Sequence, residues 1–147
     1  MNDRIEKAIE IKAPPLRVWK ALTDFREFGE WFRVRLDGPF VLGQESTGNM
    51  TIPGYEHVQW HAVVCKMEPA SLFSFTWHPY AIEPGVDYSH EDPPLVEFHL
   101  EATTTGPLLR VIESGFDRIP AGRRPEALRM NTRGWEAQVQ NIKRHVE

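Results

Sequence analysis

Residues Ile5 to Lys12 alternate in character: Ile5, Lys7, Ile9 and Ile11 share one parity, and Glu6, Ala8, Glu10 and Lys12 the other. Apolar side chains at every second position line one side of a strand, so this segment predicts a half-buried first strand. Ala13-Pro14-Pro15 ends it and opens a helix, because proline suits the first helical turn. From Leu16 onward Val18, Trp19, Leu22, Phe25, Phe28, Trp31 and Phe32 recur at helical spacings. They predict one or two amphipathic helices, with Thr23-Asp24 as a cap between them and Gly29 as a break in the second.

The middle of the chain reads as strands separated by turn residues. Val34 to Leu36 is a short strand closed by Asp37-Gly38-Pro39, and Glu45 to Ile52 a weaker one ended by Pro53-Gly54. Val58 to Met67 and Leu72 to His78 are stronger, joined by the turn Glu68-Pro69-Ala70-Ser71. Pro79 to Pro94, rich in proline, glycine and acidic residues, has no period and predicts a long loop. Leu95 to Thr104 and Leu108 to Ser114 form a last pair of strands. After a loop with Pro120, Gly122 and Pro125, the stripe Leu128, Thr132, Trp135, Val139, Ile142 and Val146 predicts one long helix. Strand, helices, a run of strands and a final helix make an α+β fold. The length of 147 residues fits a single domain over residues 1–147.

Charge narrows the partners. A net charge of -4 argues against nucleic acid, which asks for clustered positive charge. The basic residues toward the C-terminus (Arg118, Arg123, Arg124, Arg129, Arg133, Lys143 and Arg144) alternate with Glu126, Glu136 and Glu147, as on a solvated helix face. Cys65, the single cysteine, has no partner for an internal disulfide; it reads as a small buried hydrophobe in a reducing compartment. The first residues lack the apolar core of a signal peptide and no stretch has the length of a membrane span, so a cytoplasmic location is expected.

Strand parity sorts the candidate site. Phe73, Phe75 and Trp77 oppose Ser74, Thr76 and His78, while Val96, Phe98 and Leu100 oppose Glu97, His99 and Glu101. The apolar sets are expected to face the last helix, where Trp135 and Val139 meet them. They serve either as plain core or as the walls of a ligand-sized cavity. Leu109, Val111 and Glu113 share a parity whose first two members look inward, so Glu113 is the titratable group of greatest interest. It is either a polar anchor or acid/base group for a ligand, or a strand-end carboxylate that reaches water or a nearby arginine.

Other chemistry finds little footing. His57 and His61, four apart in a turn-and-strand setting, do not make a metal pair, and His90-Glu91-Asp92 reads as a solvated acidic loop; no metal or cofactor is expected. No Gly-x-Ser-x-Gly elbow, Walker pattern or Gly-x-Gly-x-x-Gly is present. Gly134 inside the final helix costs about 1 kcal/mol in propensity against alanine, which suggests close approach to the sheet or a ligand.

Four words of the sequence, in order, carry a family resemblance. They are Ala13-Pro14-Pro15-Leu16-Arg17-Val18-Trp19-Lys20-Ala21-Leu22-Thr23, Leu72-Phe73-Ser74-Phe75-Thr76-Trp77, Glu113-Ser114-Gly115-Phe116 and Gly134-Trp135. The chain thereby resembles the branch of the START/Bet v 1-like (SRPBCC) helix-grip superfamily related to the C-terminal domain of Aha1, the activator of Hsp90 ATPase. The resemblance implies a curved antiparallel sheet wrapped around the C-terminal helix, with a cavity between them for apolar or amphipathic molecules. Members often carry histidine where Glu113 stands.

Three functions follow as expectations. The first is binding of a small hydrophobic or amphipathic molecule, with Phe73, Phe75, Trp77, Val96, Phe98, Leu100, Val111, Glu113, Trp135 and Val139 around it. The second, implied by the resemblance, is interaction with an Hsp90-like chaperone. The third is cyclase or hydrolase chemistry with Glu113 or a histidine as acid/base, although a catalytic constellation asks for several convergent polar groups and one is visible. Phe25, Phe28, Trp31 and Phe32 leave room for an exposed patch, so the protein is expected to be a monomer or a homodimer.

Overall fold

The computed structural model describes residues 4–77, 93–119, 121–122 and 124–147. The elements run β1 (Arg4–Glu10), α1 (Pro15–Thr23), α2 (Phe25–Phe32), β2 (Val34–Leu36), β3 (Glu45–Met50), β4 (Gln59–Glu68), β5 (Leu72–Trp77), β6 (Leu95–Thr103), β7 (Gly106–Ser114) and α3 (Arg124–Val146). A short 3-10 turn at Phe116–Arg118 precedes α3. Among the described residues the strands form one seven-stranded antiparallel sheet in the order β1-β7-β6-β5-β4-β3-β2. Successive strands from β2 to β7 are neighbours, and β1 returns beside the last of them. The two short helices after β1 and the long C-terminal helix complete an α+β helix-grip fold. None of the described helices is long and apolar enough to cross a membrane.

Local chemistry explains the helix starts. Pro15 opens α1 at its first position. Asp24 leaves α1 and caps α2, its Oδ1 accepting the backbone N–H groups of Arg26 at 2.9 Å and Glu27 at 3.3 Å, which satisfies donors that no intrahelical carbonyl can reach. Gly29 makes no break: α2 runs through it to Phe32. A Cβ there would lie 2.5 Å from the carbonyl oxygen of Val34, so glycine lets the helix meet the following strand. Gly134 has the opposite setting. It is exposed, and a Cβ would meet nothing within 4 Å, so close approach does not explain it.

Parity holds along most strands. Ile5 and Ile11 are buried and Lys7 and Ile9 half-buried, between exposed Glu6, Ala8 and Glu10. Cys65, expected to be buried, is exposed. In β4, Val64 pairs with Phe75 but Lys66 pairs with Ser74, so Cys65 is the extra residue of a bulge. Its parity is that of exposed Gln59 and His61 and opposite to buried Trp60, Ala62 and Val64, so alternation already turns it outward.

The helices are fastened to one another and to the sheet by polar contacts as well as packing. Lys7 Nζ of β1 lies 3.0 Å from Glu136 of α3. Glu27 of α2 gathers Arg17 of α1 at 2.5 Å, Lys20 at 3.6 Å and His145 of α3 at 2.9 Å. Gln138 Nε2 donates to the carbonyl of Phe32 at 2.9 Å. The sequence placed Phe28, Trp31 and Phe32 on a possible exposed patch; the structure buries all three. The short helices therefore deliver aromatic rings to the centre of the molecule rather than to its surface.

Candidate functional site

Register sets the surroundings of Glu113. Across the inner face of the sheet, Ile5 of β1 pairs with Glu113 of β7, Glu113 with Val96 of β6, Val96 with Phe75 of β5 and Phe75 with Val64 of β4. A carboxyl group thus occupies one place in an otherwise apolar row. Glu113 is 0% exposed. The alternative in which a strand-end carboxylate reaches water or an arginine is not what the structure contains.

Its two oxygens meet three uncharged donors. Oε1 accepts from Asn131 Nδ2 and from Trp135 Nε1, both at 2.9 Å and both from α3. Oε2 accepts from Trp77 Nε1, at the end of β5, at 2.5 Å. Burial pushes the Glu113 carboxyl up to about 7, because the charged form loses its water; the donated bonds from Trp135, Trp77 and Asn131 pull the other way without cancelling that penalty. Such a carboxyl group holds or releases a proton near neutral pH.

Aromatic rings enclose this group. Trp77 and Trp135 have centroids 5.8 Å apart, Phe32 stands 5.8 Å from Trp77 and 6.1 Å from Trp135, and Phe98 lies 5.7 Å from Trp135. Trp60 lies 5.5 Å from Trp77, its own indole N–H bound to Ser46 Oγ at 3.0 Å. Phe73, Phe75 and Phe98 form a neighbouring cluster with separations of 5.8 to 6.1 Å. At these distances the rings are in mutual contact.

The structure therefore gathers Trp77, Phe98, Glu113 and Trp135 directly, with Phe73, Phe75 and Val96 beside them. Leu100, Val111 and Val139 are buried in the same core. Asn131 was missed: the stripe read from the sequence ran through Leu128 and Thr132, which are half-buried, whereas the buried line of α3 is Ala127, Asn131, Trp135, Val139 and Ile142. Counting back by four from Trp135 through Asn131 to Ala127 carries the signal. Phe32 and Trp60 were also absent from the expected site, since neither lies on the strands that parity had sorted.

Among the described residues no group of three His, Cys, Asp or Glu stands close enough to hold a metal ion. The loop expected at Pro79–Pro94, with His90-Glu91-Asp92, lies outside the described residues except for Pro93 and Pro94. A separate polar cleft of about 260 Å³ opens between the C-terminal ends of α2 and α3, lined by Glu30, Trp31, Arg33, Asn141, Arg144 and His145.

Comparison with known proteins agrees with this architecture. Residues 12–147 match the family described as activator of Hsp90 ATPase homolog 1-like protein. A Mesorhizobium loti protein superposes with a TM-score of 0.76 at 22% identity, over 97% of this chain and 95% of that one. The solution structure of the Aha1 dimer from Colwellia psychrerythraea gives 0.73 at 19% identity, over 98% and 96%. A Mycobacterium smegmatis protein gives 0.74 at 15% identity, over 99% and 91%. No curated protein matches the sequence.

Proposed function

This chain belongs to the activator of Hsp90 ATPase homolog 1-like family, and we propose that it binds a small hydrophobic or amphipathic molecule between the sheet and α3. The observation that carries this reading is Glu113, a fully buried carboxyl group set among aromatic rings where β5, β7 and α3 meet. A core that only had to be stable would gain from an apolar residue at this place, because an ionisable group loses several kcal/mol of hydration there, on the order of the penalties known for buried charges. A ligand that uses the carboxyl group as its polar contact gives that cost a purpose. The walls are Phe32, Trp77, Phe98 and Trp135, with Phe73, Phe75, Val96, Leu100, Val111 and Val139 behind them.

Because these rings already touch, the guest takes its place by moving one of them. Trp77 is half-buried at the end of its strand, whereas Phe98 and Trp135 are buried. Entry therefore shifts the Trp77 ring and opens a path to the Glu113 carboxyl group. Two indole N–H groups sit on the carboxylate, so tryptophan emission reports occupancy. The experiment is native mass spectrometry of protein purified from its own host, followed by a quenching titration with whatever co-purifies. A bound molecule lost in Trp77→Ala or Trp135→Ala supports the site. A bare mass, with no quenching by a panel of apolar compounds, turns the search toward protein partners.

The family description supports a second reading, interaction with an Hsp90-like chaperone. It predicts capture of the chaperone by the purified protein with no small molecule present.

A further inference from the structure

The chemistry around Glu113 also restricts what the ligand's polar end can be. An ionised carboxylate offers about four acceptor positions. Among the described residues three are filled, two on Oε1 by Asn131 and Trp135 and one on Oε2 by Trp77. The remaining position is on Oε2, beside the half-buried Trp77 ring.

None of the three donors carries a charge. Among the described residues no lysine, arginine or histidine contacts the carboxylate. Its neighbours across the sheet are Ile5 and Val96. The nearest inward-turned cation on β1, Lys7, is engaged with Glu136 at 3.0 Å. Among the described residues the site is therefore an anion without a counter-ion, met by two indole N–H groups and bordered by aromatic rings.

We propose that the bound molecule is an amphipathic amine, whose protonated nitrogen donates to the open position on Glu113 Oε2 while its apolar body lies among Phe32, Trp77, Phe98 and Trp135. This rests on the ligand-binding reading above and narrows it to one class. An acidic ligand brings a second negative charge to a dry site and is repelled. An alcohol fills the acceptor position but leaves the carboxylate charge uncompensated. An ammonium group does both jobs, donating to the open oxygen and pairing the charge whose burial is otherwise costly. Burial holds Glu113 at about 7, so binding an amine at neutral pH also draws it into its ionised form.

The test uses three compounds with one alkyl chain: decylamine, 1-decanol and decanoate, titrated below their aggregation limits against tryptophan emission. At about pH 8 the amine is protonated, as an alkylammonium titrates near 10. Decylamine is expected to bind at least about tenfold more tightly than decanol, a difference of about 1.4 kcal/mol, with decanoate weakest. Glu113→Gln is expected to bring amine and alcohol to parity. Trp77→Phe keeps the ring, removes one N–H competitor and is expected to retain or widen the preference for the amine. Equal or tighter binding of decanol or decanoate by the wild-type protein overturns the amine assignment and leaves the binding reading in place. The same follows if the preference survives Glu113→Gln or is lost in Trp77→Phe. Failure of all three compounds to bind overturns both.

Discussion

Trp77 and Glu113 sit on strands separated by β6, yet the indole N–H of one reaches the carboxyl oxygen of the other at 2.5 Å. The bond runs diagonally across the sheet, because the register partner of Glu113 on β6 is Val96, which pairs in turn with Phe75. It joins the end of β5 to β7 through side chains alone, and it leaves the inner carboxyl group covered by a half-buried ring.

Removing that donor has a measurable cost. Trp77→Phe keeps an aromatic ring but leaves the ionised carboxylate with two donors instead of three. Hydrogen bonds to charged groups are worth about 1.5–3 kcal/mol, so a loss of about 2 kcal/mol is expected in urea unfolding at about pH 8. The loss is smaller at pH 5, where Glu113 is protonated.

Glu113 gives stability an unusual pH slope. Its folded value, about 7, lies above the ordinary carboxyl value of 4.5. The unfolded chain therefore releases this proton first, and stability is highest below the unfolded value and declines as pH rises through the folded one. From pH 5 to 8 the decline attributable to this residue is about 3 kcal/mol. Glu113→Gln, which cannot ionise, is expected to flatten that slope in denaturation curves taken across the range.

Glu27 acts in the opposite sense. Burial raises its pKa, but the bonds from His145 and Arg17 and the charges of Arg17 and Lys20 outweigh it and hold the carboxyl below its usual range. Its contribution is present above the unfolded value and is lost as pH falls through the lowered folded one. Glu27→Gln is expected to destabilise the protein at neutral pH, by loosening the junction of α1, α2 and α3, and to have little effect in strong acid. Thermal unfolding of the variant at both extremes checks this.

The two helical glycines respond differently to alanine. Gly134 is exposed with open space around it, so Gly134→Ala gains about 0.5–1 kcal/mol from helix propensity. Gly29→Ala places a methyl group 2.5 Å from the Val34 carbonyl oxygen and must shift backbone, so it destabilises. Side-by-side urea titrations distinguish the two signs.

These contrasts show what the linear sequence carried. Alternation from Ile5 to Ile11, the Asp24 cap and the Pro15 helix start are local, and they were legible because each depends on residues a few positions apart. The inward turn of Glu113 was legible as a possibility for the same reason. Its confinement was not, since that depends on Asn131 and Trp135 arriving from α3 and Trp77 from two strands away. Cys65 was misread because it ends the apolar run Ala62-Val63-Val64, although its parity is that of exposed Gln59 and His61. Phe28, Trp31 and Phe32 were read as a potential surface because a helix face shows its period without showing what covers it.

Glu113 is central as a buried, ligand-responsive carboxyl group, and its own titration tests that directly. The measurement is a ¹³C NMR pH titration of the glutamate side-chain carboxyl carbons, with the Glu113 signal assigned by its loss in Glu113→Gln. A midpoint near 7 that moves when the co-purified molecule or decylamine saturates the protein is the predicted result. A midpoint at the ordinary carboxyl value, unmoved by any ligand, contradicts it.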